Sequence, residues 1–302
     1  AKQITGLYPI SRLFMSYYNF PMYYGMGFYI VLSIVVFYLF VKIASLKYGL
    51  LNTLANTKSS YANDKVSYER KSVFFSLYQK ELGRFLSSYM AVLNAGLGVI
   101  LLCVFSICFL FNSVGQIGNS AGIENINEYL SNLAPVFIAS MLSLSCPAAS
   151  SISLEGKNIW ILKSSPVEVK TILNAKIAVN LTLHLIGYMI SVSVFMLKLD
   201  MSPIQVMNLV IVPICYSLFI MVIGISLNKK YPNYDWDSEM IVVKQSLPVI
   251  VTGIISMITL ITPILLNWFF NLPIIFVLQA VSVILLAISF RVYIKMTKLN
   301  FI

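Results

Sequence analysis

Two polar stretches and one histidine carry most of the side chains with which this 302-residue chain could do chemistry. His184 is the single histidine, and it falls inside an apolar run together with Asn180, Thr182 and Ser191. A polar residue at such a depth must face the protein interior or a water-filled path, so Asn180, His184 and the later Gln279 are candidates for lining a route. The plainer use of the same residues, and of Asn94 and Asn208, is a hydrogen bond between helices. His184 has no carboxylate beside it in sequence with which to pass a proton. The first polar stretch, Ser151 to Lys176, carries Glu155, Lys157, Lys163, Glu168, Lys170 and Lys176. The second, Asn228 to Lys244, carries Lys229, Lys230, Asp235, Asp237 and Glu239, with Trp236 among the acids. Neither contains a GxxxxGK[ST] phosphate loop, and the chain has no HExxH, no G-x-S-x-G and no carboxylate pair inside an apolar run. Catalysis and direct nucleotide binding by this chain are therefore not expected, and no cofactor or metal is assigned to it.

The elements that must hold these residues are membrane helices. Hydrophobic residues make up 59% of the chain and charged ones 11%, with a mean hydropathy of +0.85. A soluble surface needs about a quarter charged residues, so the composition points to an all-α integral membrane protein. The net charge of +10 comes from basic residues clustered at the ends of apolar runs, where they meet lipid headgroups or an acidic partner rather than nucleic acid. Cys103, Cys108, Cys146 and Cys215 lie inside apolar runs without CxxC or Cys/His spacing and read as free thiols.

Seven spans are expected: about 23–41, 91–111, 129–151, 166–197, 204–227, 246–269 and 272–294. Residues 1 to 22 lack a basic segment followed by a cleavage site, so they are not read as a signal peptide, and the chain opening with Ala1 reads as a fragment. Their tyrosines and prolines suit an extracytoplasmic interfacial segment, so 1–41 form one unit with the first span and 42–72 a basic linker. The remaining unit, 73–302, opens with an interfacial amphipathic helix at 73–90. Its apolar face is Phe74, Leu77, Tyr78, Leu82, Phe85, Leu86 and Tyr89, with Ser76, Gln79, Lys80, Gly83, Arg84 and Ser87 opposite. Ser165-Pro166-Val167-Glu168 has the form of a capping box, so a helix should begin there. Unbroken to about Leu197 it would run roughly 48 Å against a hydrocarbon core of about 30 Å and protrude. Of the 21 Lys and Arg, 18 fall on the side holding both polar stretches and the C-terminus, which makes that side cytoplasmic.

The phrases SLEGKNIWILKSSP at 153–166 and DWDSEMIVVKQS at 235–246 resemble the cytoplasmic loops of bacterial ABC exporter permeases, the membrane subunits that pair with a separate ATPase. Tyr78 to Tyr89, with Asn94, is similar to the elbow that precedes the first span of such a subunit. The resemblance covers the chain from about residue 75 onward. It implies a permease in the bacterial cytoplasmic membrane, one leftover span followed by a six-span half, with lipids, an ABC-type ATPase and a second or missing half as partners. ATP and Mg would bind that ATPase. Glu155, Gly156, Lys157, Trp160 and Lys163 with Asp235, Trp236, Asp237, Glu239 and Lys244 would form the surface that docks it. On that reading Glu155 and Lys157 pair with Lys244 and the second-loop acids, and Trp160 and Trp236 serve as apolar anchors. A membrane sensor with a separate output domain is the alternative, and an intramembrane enzyme a weaker one, since enzymes need acids, His or Ser clustered on facing helices.

Overall fold

A computed structural model describes residues 27, 30–43, 45–46, 72–112, 114–115 and 125–298. The chain divides into two compact units, Ala1–Arg70 and Lys71–Ile302. In the first, helix α1 (Ile30–Ile43) is apolar, with exposed side chains such as Phe37 and Phe40. The expected interfacial segment at 1–22 and most of the 42–72 linker lie outside the described residues, as does much of the loop after Asn112.

All regular secondary structure among the described residues of the second unit is helical. Helix α2 (Val73–Ser87) is followed by α3 (Tyr89–Ala95) and α4 (Leu97–Phe111), then α5 (Ile126–Ser143). Two 3-10 turns, Pro147–Ala149 and Ser153–Asn158, lead to the short α6 (Ile159–Ser164). Helices α7 (Val169–Lys198) and α8 (Pro203–Lys230) follow. After a loop and a π-helical turn at Ile241–Gln245 come α9 (Leu247–Phe270) and α10 (Ile274–Lys298). Five described helical segments are long and apolar enough to cross a membrane, and α3 with α4, bent by 62° at Gly96, makes up to six. Among the described residues the first of the expected seven is represented by Ile30–Ile43 alone, so the count of seven is not confirmed.

Helix α8 lies at the centre. Its Tyr216, Phe219, Ile220, Met221 and Ile225 are buried against α5, α7, α9, α10 and the turn at Pro147–Ala149. A true capping box starts it, with Ser202 accepting from Gln205 N and the Gln205 side chain accepting from Ser202 N. Backbone groups released by irregularities are taken up by neighbouring helices, as a lipid environment requires. Pro263 has no N–H for the carbonyl of Thr259, and Tyr216 Oη donates to that oxygen at 3.0 Å. At the bend, Ser145 Oγ donates to the Ala95 carbonyl at 2.6 Å.

The start of α7 differs from the expected capping box. Ser165 Oγ donates back to Leu162 O at 2.8 Å, ending α6, and α7 begins at Val169 after Glu168 with no side-chain cap. Ser165 is extended, the conformation imposed on a residue before proline, so its hydroxyl cannot serve the helix beyond Pro166. At 30 residues α7 is still about 45 Å long. The amphipathic helix also differs. It ends at Ser87, and the side that carries Glu81 and Phe85 is buried against α7, while Phe74, Phe75 and Leu86 stay exposed.

Close crossing of α4 over the end of α5 depends on Gly98, where a Cβ would stand 2.0 Å from Met141 O and 3.0 Å from Leu144 Cβ. Because backbone must move to admit even a methyl group, Gly98→Ala should cost about 1 to 3 kcal/mol. Gly253→Ala on α9 meets nothing within 4 Å and should cost nothing. Thermal unfolding of the two purified variants in one detergent checks this, and equal melting temperatures would refute the crossing.

Candidate functional site

The side chains of the first polar stretch are drawn into the end of the bundle instead of lying in solvent. Lys176, on α7, has a fully buried side chain. Its Nζ donates to Glu81 Oε1 at 2.9 Å, to Glu155 Oε1 at 2.7 Å and to Ser151 O at 3.0 Å. An ammonium has three N–H donors, so all three are used. Arg84 pairs with Glu81, donates from Nη2 to Ser151 O at 3.0 Å, and holds Nη1 2.9 Å from Glu155 Oε1 without hydrogen-bond alignment. Lys80, half-exposed, reaches both Glu155 oxygens at 3.3 and 3.1 Å. Helix α2, the 3-10 turn and α7 are thus joined by five charges, of which Lys176, Glu81 and Glu155 are buried.

The second stretch braces the first. Asn228 Oδ1, at the end of α8, accepts from Ile152 N at 2.7 Å and Ser153 N at 3.1 Å, while its Nδ2 donates to Ser153 Oγ at 2.7 Å. The same hydroxyl accepts from Asn233 N at 2.9 Å, and Trp236 Nε1 donates to Ser153 O at 2.8 Å. Trp236 then packs against Gly156, whose φ of +55° favours glycine and where a Cβ would stand 3.3 Å from the ring. Lys157 meets Asp235 at 3.2 Å on the exposed surface, and Lys163 Nζ stands 5.8 Å from the Tyr234 ring centre. Burial, and then the charge of Glu155, push the Tyr234 hydroxyl above the ordinary tyrosine range. Glu239 accepts from Ser88 Oγ at the start of α3.

Of the residues singled out in the sequence, Glu155 and Gly156 are buried at this junction, Trp236 packs on it, and Lys157 pairs with a second-loop acid. Glu155 is held by Lys80, Arg84 and Lys176 rather than by Lys244, which is exposed on the π-helical turn. Trp236 spends its ring and its N–H on this chain, whereas Trp160 and Asp237 are exposed. Sequence reading missed Glu81 and Asn228. Glu81 follows Lys80 three residues before Arg84 on a surface helix, a pattern that ordinarily stays in solvent. Asn228 shows only as an amide at the end of an apolar run.

Asn180 and His184 are fully inside the bundle. His184 Nε2 lies against the Ser145 carbonyl and 3.1 Å from Asn180 Nδ2, and Nδ1 shares a hydrogen bond with Ser217 Oγ at 2.7 Å. Asn180 Oδ1 accepts from Ala148 N at 3.1 Å. Both residues tie the turn after α5 to α7 and α8. Gln279 is half-buried on α10.

Residues 98–297 match the family described as "Putative ATP-binding cassette". Neither a curated protein nor a solved structure matches the chain. The family match overturns the expectation of an exporter permease subunit served by a separate ATPase, since the description is that of an ATP-binding component. In the loop phrases that carried the resemblance, Ser153 and Glu155 are buried at a bundle end and the half-buried Trp236 packs beside them. A nucleotide does not fit the junction. The cavity there, lined by Glu81, Arg84, Ser88, Lys176 and Glu239, holds about 30 Å³, room for a water molecule and not a triphosphate. Its two cations are already neutralised by carboxylates that would repel phosphate. Among the described residues no group of His, Cys, Asp or Glu is arranged to hold a metal ion.

Removing one member of a buried ion cluster leaves the others uncompensated, so Lys176→Met should lose about 3 to 5 kcal/mol. Lys157→Ala breaks only a solvent-screened pair and should leave stability unchanged. Thermal unfolding of both variants in detergent measures the contrast; similar behaviour would contradict the arrangement.

Proposed function

We propose, on the premise that this chain belongs to the family described as "Putative ATP-binding cassette", that it is a membrane-embedded helical component of an ATP-binding cassette transport system. Its working feature in that system is the charged junction, which makes α2, the 3-10 turn at Ser153–Asn158 and α7 move as one body. The observation that carries this is Lys176, buried on the longest helix and bonded to side chains from both other segments. Polar groups buried this deeply resist separation, because parting them leaves charge without water or partner. A displacement at the junction is therefore passed along α7, which extends about 45 Å and exceeds a hydrocarbon core of about 30 Å. In this reading the junction lies on the cytoplasmic side of a bacterial membrane, where the Lys and Arg excess puts it. The exposed Lys157, Trp160, Asp235, Asp237 and Lys244 form the face offered to the rest of the system.

The rigid-body reading can be tested by stapling α2 to α7. Tyr78 Oη and Thr182 Oγ1 are 2.9 Å apart, so Tyr78→Cys with Thr182→Cys can be bridged by a short thiol crosslinker. The four native cysteines are replaced beforehand. Elements that already move together tolerate the bridge, so ATP hydrolysis by membranes carrying the intact system should change less than about twofold on crosslinking. A loss of activity that returns on cleaving the bridge would show that α2 and α7 part during the cycle, and would sink the proposal.

A further inference from the structure

A second cavity lies deeper in the bundle, between the bent pair α3 and α4, the end of α5, and α9. It measures about 350 Å³, a size within the range of ligand pockets. Its wall is of two kinds. Leu144, Val249, Met257 and Leu260 supply aliphatic surface, and Leu144 and Met257 are largely exposed, so they form a mouth at the side of the bundle. The same lining includes Ser143 on α5 and Ser256 on α9, each more than nine-tenths buried. Neither hydroxyl makes a hydrogen bond to the described residues, although nearby Ser140 and Thr252 return theirs to their own helices at 2.7 and 2.6 Å. Asn94, also in the lining, donates from Nδ2 to Met90 O at 2.9 Å. No acidic or basic side chain lines the space.

We infer that this cavity is a binding site for a neutral amphiphile, a molecule with hydroxyl or ester groups on an aliphatic body, entering from the lipid phase. The argument is one of complementarity. Two unpartnered hydroxyls and an amide, set in a largely apolar wall, leave hydrogen-bonding capacity that an occupant can satisfy. The absence of charge in the wall disfavours a phosphate or carboxylate headgroup, which would arrive without a counter-ion. The aliphatic side faces the mouth, so a ligand lying with its polar end against Ser143 and Ser256 can leave its tail toward Leu144 and Met257. The site is separate from the charged junction, and the inference does not rest on the role proposed for that junction.

Two substitutions fill the space without disturbing its frame. A Cβ at Gly253 meets nothing within 4 Å, and Ser256 makes no bond that would be lost, so Gly253→Leu and Ser256→Leu should fold and occupy the cavity. The purified chain in phosphatidylcholine nanodiscs is irradiated with a diazirine-bearing long-chain monoacylglycerol, and labelled peptides are mapped by mass spectrometry. The same chain ending in a phosphate is the comparison. The inference expects the neutral probe to label segments around 143–144 and 253–257, and each filling variant to cut that labelling about tenfold, equivalent to roughly 1.4 kcal/mol of binding. Equal labelling by the phosphate probe, or labelling that survives both variants, would reveal general lipid contact and overturn it. So would the absence of labelling there, or a crosslink showing a helix of a second copy seated in the cavity.

Discussion

An ammonium group with no access to solvent is the constraint on which this end of the molecule depends. Taking Lys176 out of water is costly, and the cost is tolerable only if counter-charges and acceptors meet all its protons. Meeting them fixes three otherwise independent segments. Glu81 must come from α2, so the surface helix turns its charged stripe inward. Glu155 must come from the segment after α5, so that segment cannot remain a solvated loop. Ser151 must offer its carbonyl, which sets the turn between the two 3-10 segments. Arg84 and Lys80 then offset the second carboxylate, and the cluster closes on itself. Such clusters are poor sources of net stability compared with apolar packing, but severe in what they forbid once formed.

The rest of the interior follows a related rule. Inside an apolar bundle most polar groups are matched by another, and several of the matches here run between helices. Ser106 and Ser191 share a hydrogen bond at 2.7 Å between α4 and α7, Asn208 Nδ2 donates to Ile275 O at 3.1 Å, and Tyr293 Oη donates to Asn174 Oδ1 at 2.8 Å. His184 belongs to this set as a two-sided connector. Membrane helices lack a hydrophobic drive to associate with one another, so small residues and such bonds determine which faces meet. Gly98 and Gly224 mark two of the closest approaches, with Gly224 set against Cys146 and Ala149.

What was legible in the sequence was what depends on local pattern. Apolar length identified α7 to α10 to within a few residues, because a helix in lipid must satisfy its own backbone, and the pattern needs no partner to be read. Lys157 and Asp235 meet on the surface, where opposite charge alone can bring two side chains together. Tertiary burial was not legible. Ser165 looked like a cap because its neighbours fit one, yet the hydroxyl serves the preceding turn. Glu155 looked like a surface acid in a basic loop, and the partners that hold it, Lys80 and Arg84 on α2 and Lys176 on α7, are distant in sequence. The family resemblance failed for the same reason: short loop phrases reflect a local packing demand, and the match over 98–297 to an ATP-binding cassette family corrected it.

The central claim is that Lys176 and Glu155 hold this end together as a unit, and a double-mutant cycle tests it most directly. Unfolding free energies are measured in one detergent for the parent, Lys176→Met, Glu155→Gln and the pair combined. The account predicts two destabilised single variants and a double variant close to the worse of them, with a coupling of about 1 to 3 kcal/mol. Strictly additive losses would mean that the two residues act separately, and would contradict the account.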